Sequence, residues 1–408
     1  MVIKDIQNYE EGDKSVLAAT IVWRERTTYQ LFFRVPKKYK KFLATDASPF
    51  LAAVLLPCMQ MREDITVEGS ISTQFFANTR KLMTTFSSWS DAFHPIAISA
   101  DRVVPDIKAG KDTACFFSGG VDSFYTFLKN KSSITHLISV HGFDMYLSNK
   151  ALYKEVLTNV QKIAKREGVE VVPVETNIRD FVDLYVDWDW EVGGGLGSVA
   201  LALRAGFEKI YVAGTYSWDQ MMPYGTHPDT DPLWSSETMR IIHDGNEARR
   251  LDKVLWQIAK SDTALKYLKV CYQNPKGKYN CSKCEKCLRT MLALEIAGVF
   301  DKATSFCEPL TADRVANTRA HGLGCKIHME DNLAEFKRLG KREDLQRALE
   351  ISIYRTNNPS LKQRAIKRIA HIDSKYNQSR LYKYLYTKNS QSQNAILSKT
   401  FARLGILQ

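Results

Sequence analysis

Short apolar blocks alternate with amphipathic, helix-like blocks between about residues 111 and 304. The predicted strands are Thr113–Phe117, Thr135–Val140, Val169–Val174 and Lys209–Ala213. Three helices are also predicted: one that starts after Val121, and two that cover Ala151–Glu167 and Gly195–Ala205. Strands and helices that alternate at this spacing form a parallel sheet with helices on both faces, and ligands bind at the carboxyl ends of its strands. We therefore expect an α/β fold with a doubly wound parallel sheet.

The two flanks of this core have different patterns. Before it, strand-like runs lie at Val16–Trp23, Tyr29–Val35 and Asp64–Glu68, and a predicted helix covers Gln74–Ser90. After it, residues 331–408 have a helical pattern and end in a polar stretch near Asn389–Asn394. The pattern predicts an N-terminal α+β domain (1–110), a core domain (111–330) and a helical C-terminal region (331–408).

The chain of 408 residues carries a formal net charge of +12, and 44% of its residues are hydrophobic. Its longest nearly unbroken apolar run, Phe50–Cys58, is far shorter than the roughly 20 residues of a membrane helix, so no membrane span is expected. Most of the excess positive charge follows Ile351, where eleven Lys and Arg accompany one acid, Asp373, with tyrosines interleaved. Three interpretations stay open: a solvated helix face, a surface for an acidic protein, or a nucleic-acid contact.

The most informative segment is TACFFSGGVDSFYT, in which a short apolar strand leads into two glycines and then into a helix. Gly119 and Gly120 allow a tight turn that brings backbone N–H groups close to an anion. Ser118 and Ser123 add hydroxyl donors at the same place. The segment therefore predicts a loop that binds phosphate.

The helix that starts near Val121 directs its N-terminus at this loop, which favours an anion there. Asp122 would be an unusual phosphate contact, so we interpret it as holding the backbone or a Mg²⁺ that bridges phosphates. The segment has neither the Walker A spacing nor the dinucleotide-binding fingerprint. It therefore predicts a nucleotide loop of another type.

Four cysteines lie close together in the stretch VCYQNPKGKYNCSKCEKCLRT: Cys271, Cys281, Cys284 and Cys287. Four thiolates satisfy tetrahedral Zn²⁺ and leave no open position for water, so a structural zinc site is expected. The remaining cysteines are scattered and are interpreted as small hydrophobic residues: Cys58, Cys115, Cys307 and Cys325. Reduced thiols, and a beginning without a signal-peptide pattern, predict a cytoplasmic protein.

Together these motifs resemble a known family. The S-G-G-V-D-S loop resembles the PP-loop of N-type ATP pyrophosphatases, which have a HUP-like fold. A PP-loop followed by Cys-Tyr and by C-x-x-C-x-x-C is similar to the 7-cyano-7-deazaguanine synthases, the QueC family. The segments GSVALALRAGFEKIYVAGT and GTHPDTDPLWSSE agree with this resemblance, which covers about Lys111–Thr304. The chain departs from the family where His227 and Thr230 replace Tyr and Cys, and where Gly193–Gly195 replaces Gly-Arg-Asn.

The resemblance implies roles for residues on both sides of the site. ATP and Mg²⁺ would be held by the loop, with Ser118, Asp122 and Ser123 as catalytic residues and with further contacts from Phe117, Gly119, Gly120 and Val121. The adenine would lie near Val140 and His141, with His141 as a pocket wall. The substrate would contact Gly193, Gly194, Gly195, His227 and Asp229. We expect Gly193–Gly195 to open a helix whose N-terminus could bind the substrate carboxylate. Two simpler interpretations remain beside these: the glycines as a flexible turn and Asp229 as a turn former.

The function implied is an AMP-forming ligase that acts on 7-carboxy-7-deazaguanine or a similar carboxylate. Ammonia would give an amide or nitrile, whereas the added flanks resemble QueC-like proteins of antiphage defence systems, which could attach the activated base to a protein amine. Two other classes stay open. A tRNA-thiolating PP-loop enzyme would explain the basic tail but needs a reactive cysteine or an iron–sulfur cluster. A non-catalytic ATP-binding scaffold would bind ATP without releasing pyrophosphate.

Overall fold

The computed structural model describes residues 1–23, 27–106, 110–320 and 322–359. These residues form two compact units, one of Met1–Ser282 with Thr290–Glu308 and one of Lys283–Arg289 with the described residues from Pro309 on. The predicted domain boundary at residue 110 lies inside the first unit, and the predicted boundary at residue 330 lies inside the second.

Ten strands of the described chain form one sheet. In chain order they are β1 (Val2–Glu11), β2 (Lys14–Trp23), β3 (Thr27–Pro36), β4 (Ile65–Ser72), β5 (Ile98–Val104), β6 (Asp112–Phe116), β7 (His136–His141), β8 (Glu170–Thr176), β9 (Phe207–Ala213) and β10 (Arg240–Asp244). Across the sheet their order is β10-β9-β6-β7-β8-β3-β2-β1-β4-β5. Antiparallel pairing is confined to the central strands, between β8 and β3, β3 and β2, and β2 and β1. The sheet is therefore mostly parallel, and the expected α/β fold class is confirmed.

The described helices lie before, between and after these strands. They are α1 (Ser48–Met61), α2 (Thr73–Trp89), α3 (Val121–Lys129), α4 (Lys150–Glu167), α5 (Ile178–Val182), α6 (Trp188–Leu203), α7 (Arg250–Trp256), α8 (Asp262–Tyr267), α9 (Glu285–Ile296), α10 (Ala312–Asn317), α11 (Gly322–Leu339) and α12 (Glu343–Asn357). Short 3-10 turns cover Lys37–Phe42, Trp218–Gln220, Asp231–Trp234, Ile258–Lys260 and Phe300–Lys302.

The five parallel strands β6 to β10 form one half of the sheet, and the sequence predicted four of them, β6 to β9. β6 is the first of them in the chain but lies in their middle, with β7 and β8 on one side and β9 and β10 on the other. This order is compatible with a Rossmann-like doubly wound sheet, in which ligands bind outside the carboxyl ends where the strand order reverses. The reversal lies between β6 and β9. The four predicted core strands match β6 to β9 to within two residues at each end.

Strands β1 to β5 extend the same sheet. The connection is the antiparallel pair β3–β8, through Phe33 opposite Thr176 and Arg34 opposite Glu175. The apolar run Phe50–Cys58 forms most of α1, which is buried on all sides and packs against α6. A helix that is apolar all round is stable in water only when other elements cover it.

The second unit contains α10, α11 and α12. Its apolar side chains include Met329, Phe336 and Leu349, all buried, and the Ser352 hydroxyl of α12 donates a 2.7 Å hydrogen bond to the carbonyl of Thr318. The predicted C-terminal helical region is described only as far as residue 359. Most of its basic residues and the polar stretch near residues 389–394 lie outside the described residues.

In the part of the chain that the structure describes, no helix combines the length and the apolar character that crossing a bilayer requires.

Candidate functional site

The glycine loop follows β6 at the carboxyl end of the strand and leads directly into α3. Gly119 has a left-handed φ of 77°, which favours glycine, and Gly120 precedes α3 with no side chain capping the helix. The Ser118 hydroxyl oxygen accepts a 3.3 Å hydrogen bond from the Gly120 N–H and lies 3.4 Å from the Ser123 hydroxyl. Backbone donors at an uncapped helix start beside a glycine turn form an arrangement that binds anions.

Two apolar residues anchor this loop in the core. Phe117 is buried, its ring lies 4.8 Å from that of Phe124, and its N–H donates to the carbonyl of Ile138. Val121 is also buried. Their side chains are engaged in packing, so the contribution of Phe117 and Val121 to a nucleotide site would come from their backbone atoms.

Asp122, on the first turn of α3, pairs with two cations of α7. Arg250 Nη1 lies 2.6 Å from Asp122 Oδ2, and Lys253 Nζ lies 3.2 Å from Oδ1. The Lys253 side chain is completely buried, and burial lowers the pKa of its ammonium group while the charge of Asp122 opposes that shift. The sequence-based interpretations of Asp122 included neither cation. The structure gives it the role of neutralising positive charge next to the loop.

Lys253 also joins the loop to the neighbouring strand. Its ammonium group donates a 2.6 Å hydrogen bond to the carbonyl of Gly214, the residue that follows β9. The Gly214 N–H in turn donates to the carbonyl of Asp244 at the end of β10. One buried cation therefore connects Asp122, at the start of α3 after the glycine loop, with the residue that follows β9. The strand order reverses between β6 and β9.

The four predicted metal ligands come together. The Sγ atoms of Cys271, Cys281, Cys284 and Cys287 lie within 4.8 Å of one another, and all four residues are buried. Four thiolates at this spacing fit a tetrahedral metal with metal–sulfur distances of about 2.3 Å, which is the preference of structural Zn²⁺. Among the described residues, no other group of three or more His, Cys, Asp or Glu has a comparable geometry.

Hydrogen bonds connect this cysteine cluster to the glycine loop. The Asn280 side chain accepts from the Cys271 N–H at 3.1 Å and donates to the carbonyl of Leu268 at 2.8 Å. Between these two residues, the Lys269 N–H donates a 2.8 Å hydrogen bond to the carbonyl of Gly119. The segment that supplies the first cysteine therefore lies directly against the loop.

The two residues predicted to contact adenine lie at the end of β7. Val140 is half-buried and pairs with Val174 of β8. The imidazole of His141 stacks on Tyr153 with ring centroids 4.0 Å apart, and burial lowers its pKa. A stacked, uncharged ring suits a pocket wall, which is the role that the resemblance implies.

The prediction that Gly193–Gly195 opens a helix is wrong, because α6 begins at Trp188 and the glycines lie inside it. Glycine normally destabilises a helix interior, but here other groups occupy the space that side chains would fill. A Cβ at position 193 would lie 1.9 Å from the carbonyl oxygen of Gly225, and one at position 195 would lie 2.9 Å from the Trp188 ring. The three glycines therefore permit close packing and do not form a helix N-terminus for an anion.

The segment predicted to bind substrate forms a tight turn. The amides of Thr230 and Asp231 both donate to the carbonyl of His227, and the Asp229 N–H donates to His227 Nδ1 at 3.1 Å. The ring of His227 lies edge-on to Trp89, and burial lowers its pKa. The Asp229 side chain is 70% exposed. Of the predicted substrate residues, Gly193, His227 and Asp229 adjoin this turn, whereas Gly194 and Gly195 pack into the interior.

Sequence reasoning missed Arg250, Lys253, Asp231 and His243. The first two lie in EARRLDK, an ordinary amphipathic helix pattern with no distinctive spacing. Asp231 and His243 are twelve residues apart and meet only through the packing of β10. Such partners are brought together by tertiary structure, and no local motif indicates them.

Comparisons with protein-family models, with curated proteins and with solved structures found no significant match to the chain.

Proposed function

We propose that the protein is an ATP-dependent, AMP-forming ligase of the PP-loop type, which adenylates a carboxylate similar to 7-carboxy-7-deazaguanine and passes the acyl group to a nitrogen nucleophile. The observation that carries the proposal is the glycine loop before α3. It combines the left-handed Gly119 with an uncapped helix start, at the carboxyl end of β6, where the strand order reverses. Two cations of α7 pair with Asp122, on the first turn of α3.

The chemistry matches what these groups can supply. A carboxylate oxygen attacks the α-phosphorus of ATP and pyrophosphate leaves; a nitrogen then attacks the acyl carbon and AMP leaves. Backbone N–H groups of the loop and the hydroxyls of Ser118 and Ser123 would hold the pyrophosphate portion as its charge grows. Lys253 and Arg250 would supply nearby positive charge. Most of the rate enhancement would come from positioning and charge neutralisation.

Asp122 is poorly suited to be a ligand of Mg²⁺. Both carboxylate oxygens of Asp122 already lie within 3.2 Å of a protein cation, and a divalent ion would be repelled by those charges. We therefore assign no step to a protein-bound Mg²⁺ and expect the ion to enter bound to the phosphates of ATP.

The cysteine cluster fits a structural role for Zn²⁺. All four ligands are sulfur, and a closed tetrahedral S₄ site has no position for water or substrate. Bound metal would hold Cys271 next to Cys281 and thereby support the segment that contacts Gly119.

The test is to incubate the purified protein with ATP, Mg²⁺ and 7-carboxy-7-deazaguanine and to identify the products by mass spectrometry. AMP and pyrophosphate should form only when the carboxylate is present. ATP binding without pyrophosphate release would contradict the proposal and favour a scaffold. Iron in elemental analysis, with visible absorption from a cluster, would favour the tRNA-thiolation class.

The proposed acceptor is a protein amine, because ammonia requires no docking surface and the chain carries a strongly basic C-terminal region. Residues 360–408 contain ten Lys and Arg and one Asp. A truncation after Asn358 is preferable to one at residue 351, since Ser352 and Arg355 of α12 hydrogen-bond to Thr318 and Ala316.

Truncation after Asn358 should weaken transfer to the partner severalfold at low salt and little at high salt, because salt screens the attraction between opposite charges. Formation of AMP should be unchanged. The measurement is transfer to the partner at several salt concentrations. Equal transfer by the two proteins, or efficient turnover with ammonium alone, would instead support a small-molecule enzyme.

A further inference from the structure

A buried aspartate–histidine pair lies beneath the turn predicted to bind substrate. His243 Nδ1, on β10, is 2.6 Å from Asp231 Oδ2, and the two side chains are only 3% and 1% exposed. Burial raises the pKa of the Asp231 carboxyl group, and the contact with His243 opposes that shift. His243 Nε2 is buried and has no hydrogen-bond partner among the described residues.

The pair also contacts the backbone of the turn. The second carboxylate oxygen of Asp231 lies 3.4 Å from the backbone N of His227, which donates to it. His227 in turn accepts from the Asp229 N–H, so the position of the exposed Asp229 carboxylate depends on Asp231. Because Asp231 contacts a side chain of β10, the turn is tied to the sheet.

The same pair lies next to the nucleotide side of the site. A Cβ on Gly214 would lie 2.5 Å from His243 Nε2, which places the imidazole directly against that glycine. The Gly214 carbonyl accepts from Lys253, and Lys253 pairs with Asp122 of the glycine loop. A continuous series of contacts therefore leads from the turn to the loop.

We propose that Asp231 and His243 are positioning residues, which hold the Asp229 carboxylate in a fixed position relative to the glycine loop. A carboxyl group held at the tip of this turn would accept hydrogen bonds from ligands that present N–H donors, such as the amine and ring N–H of a guanine-like base. The inference rests on the proposed function, since it names the part of the substrate that Asp229 reads.

The test uses His243→Gln and Asp231→Asn, which keep side-chain size while changing the pair. Amide hydrogen exchange in residues 225–231 should become about tenfold faster in both variants, because the side chain that accepts from the His227 N–H is no longer held by the short Asp231–His243 contact. The KM for the carboxylate should rise about tenfold while the KM for ATP stays within about twofold of the original. The matched control is His136→Gln, which changes a buried histidine at the opposite, amino end of β7.

Unchanged exchange and an unchanged carboxylate KM in both variants would overturn the inference, as would equal increases in both KM values. If neither variant folds, exchange in the unmodified protein provides a second measurement. The His227 amide should exchange as slowly as the amides of β10, and fast exchange at His227 would count against the pair. If the unmodified protein forms no AMP, the ligase proposal fails, whereas the exchange measurement still decides whether the pair holds the turn.

Discussion

The glycine loop follows β6 and the turn of residues 227–231 is tied to β10 of the same sheet, but different interactions hold the two regions. The loop is held by backbone hydrogen bonds and by an ion pair between Asp122 and two cations of α7. The turn is held by the buried Asp231 and by a helix whose glycines allow close approach. The first region therefore depends on charge balance and on the cysteine cluster. The second depends on the protonation of buried carboxyl groups and on packing.

The largest effect is expected from Ser118→Ala in the loop. Loss of a hydroxyl that contacts the pyrophosphate portion should reduce AMP formation at least about 100-fold, since donors of this kind contribute roughly 3 kcal/mol to transition-state stabilisation. Ser118 is exposed and lies outside the core, so the melting temperature should stay the same. The measurement is AMP and pyrophosphate release together with thermal unfolding. Full turnover by this variant would contradict the PP-loop interpretation.

Asp122→Ala does not test the role of Asp122 in catalysis separately from its role in stability. Removal of the carboxylate leaves Arg250 and Lys253 buried without their shared counter-ion, and breaking a buried pair in this way costs about 3–5 kcal/mol of stability. We therefore expect Asp122→Ala to lose both activity and stability. Ser118→Ala should therefore lose activity alone, whereas Asp122→Ala should also lose stability, because only Asp122 balances the charge of two buried cations.

The sequence predicted the parts of the site that depend on local pattern. The loop, the four cysteines and the core strands each occupy a short segment with a characteristic spacing or periodicity. The partners of these segments were not predictable, because Lys253 reaches Asp122, and Lys269 reaches Gly119, across more than 100 residues of chain. The start of α6 was mispredicted for a similar reason: a glycine run favours a loop locally, and only the packing of Gly225 and Trp188 against it stabilises a helix there.

The third prediction concerns the cysteine cluster, which supports the loop region. Elemental analysis should find one Zn²⁺ per chain. Removal of the metal, or Cys284→Ser, should lower the melting temperature by about 10 °C, because a structural metal contributes its binding energy to folding. Cys325→Ser, outside the cluster, is the matched control.

The contact between Lys269 and Gly119 adds a second expected result. Protein that remains folded without metal should bind ATP about tenfold more weakly, since the segment that supports the loop loses its anchor. The affinity for the carboxylate should change less, because no hydrogen bond of this segment reaches the turn among those described. An equal loss for both ligands would show that the two regions are not separately supported. Calorimetric titration with each ligand provides the comparison.

The last prediction concerns Glu191, which represents the second region because it lies in α6 beside the glycines. Its side chain is completely buried, and neither carboxylate oxygen has a hydrogen-bond partner among the described residues. Its Oε1 lies 2.8 Å from where a Cβ of Gly194 would be, so the carboxyl group fills the space left by that glycine. Burial raises the pKa of Glu191 well above its usual value of 4.5, and the charge of Asp183 adds to the shift.

The folded protein therefore keeps a proton on Glu191 that the unfolded chain releases above about pH 4.5. The stabilising contribution of that proton is complete below this pH and declines as the pH rises towards and through the pKa of the folded state. Glu191→Gln removes the titration, so its stability relative to the unmodified protein should increase with pH, by up to about 1.4 kcal/mol per pH unit. Chemical denaturation between pH 5 and 9 measures this difference, with Glu155→Gln on the exposed face of α4 as the control. A difference that is constant with pH would mean that Glu191 is ionised in the folded protein, and its protonation would then not contribute to the second region.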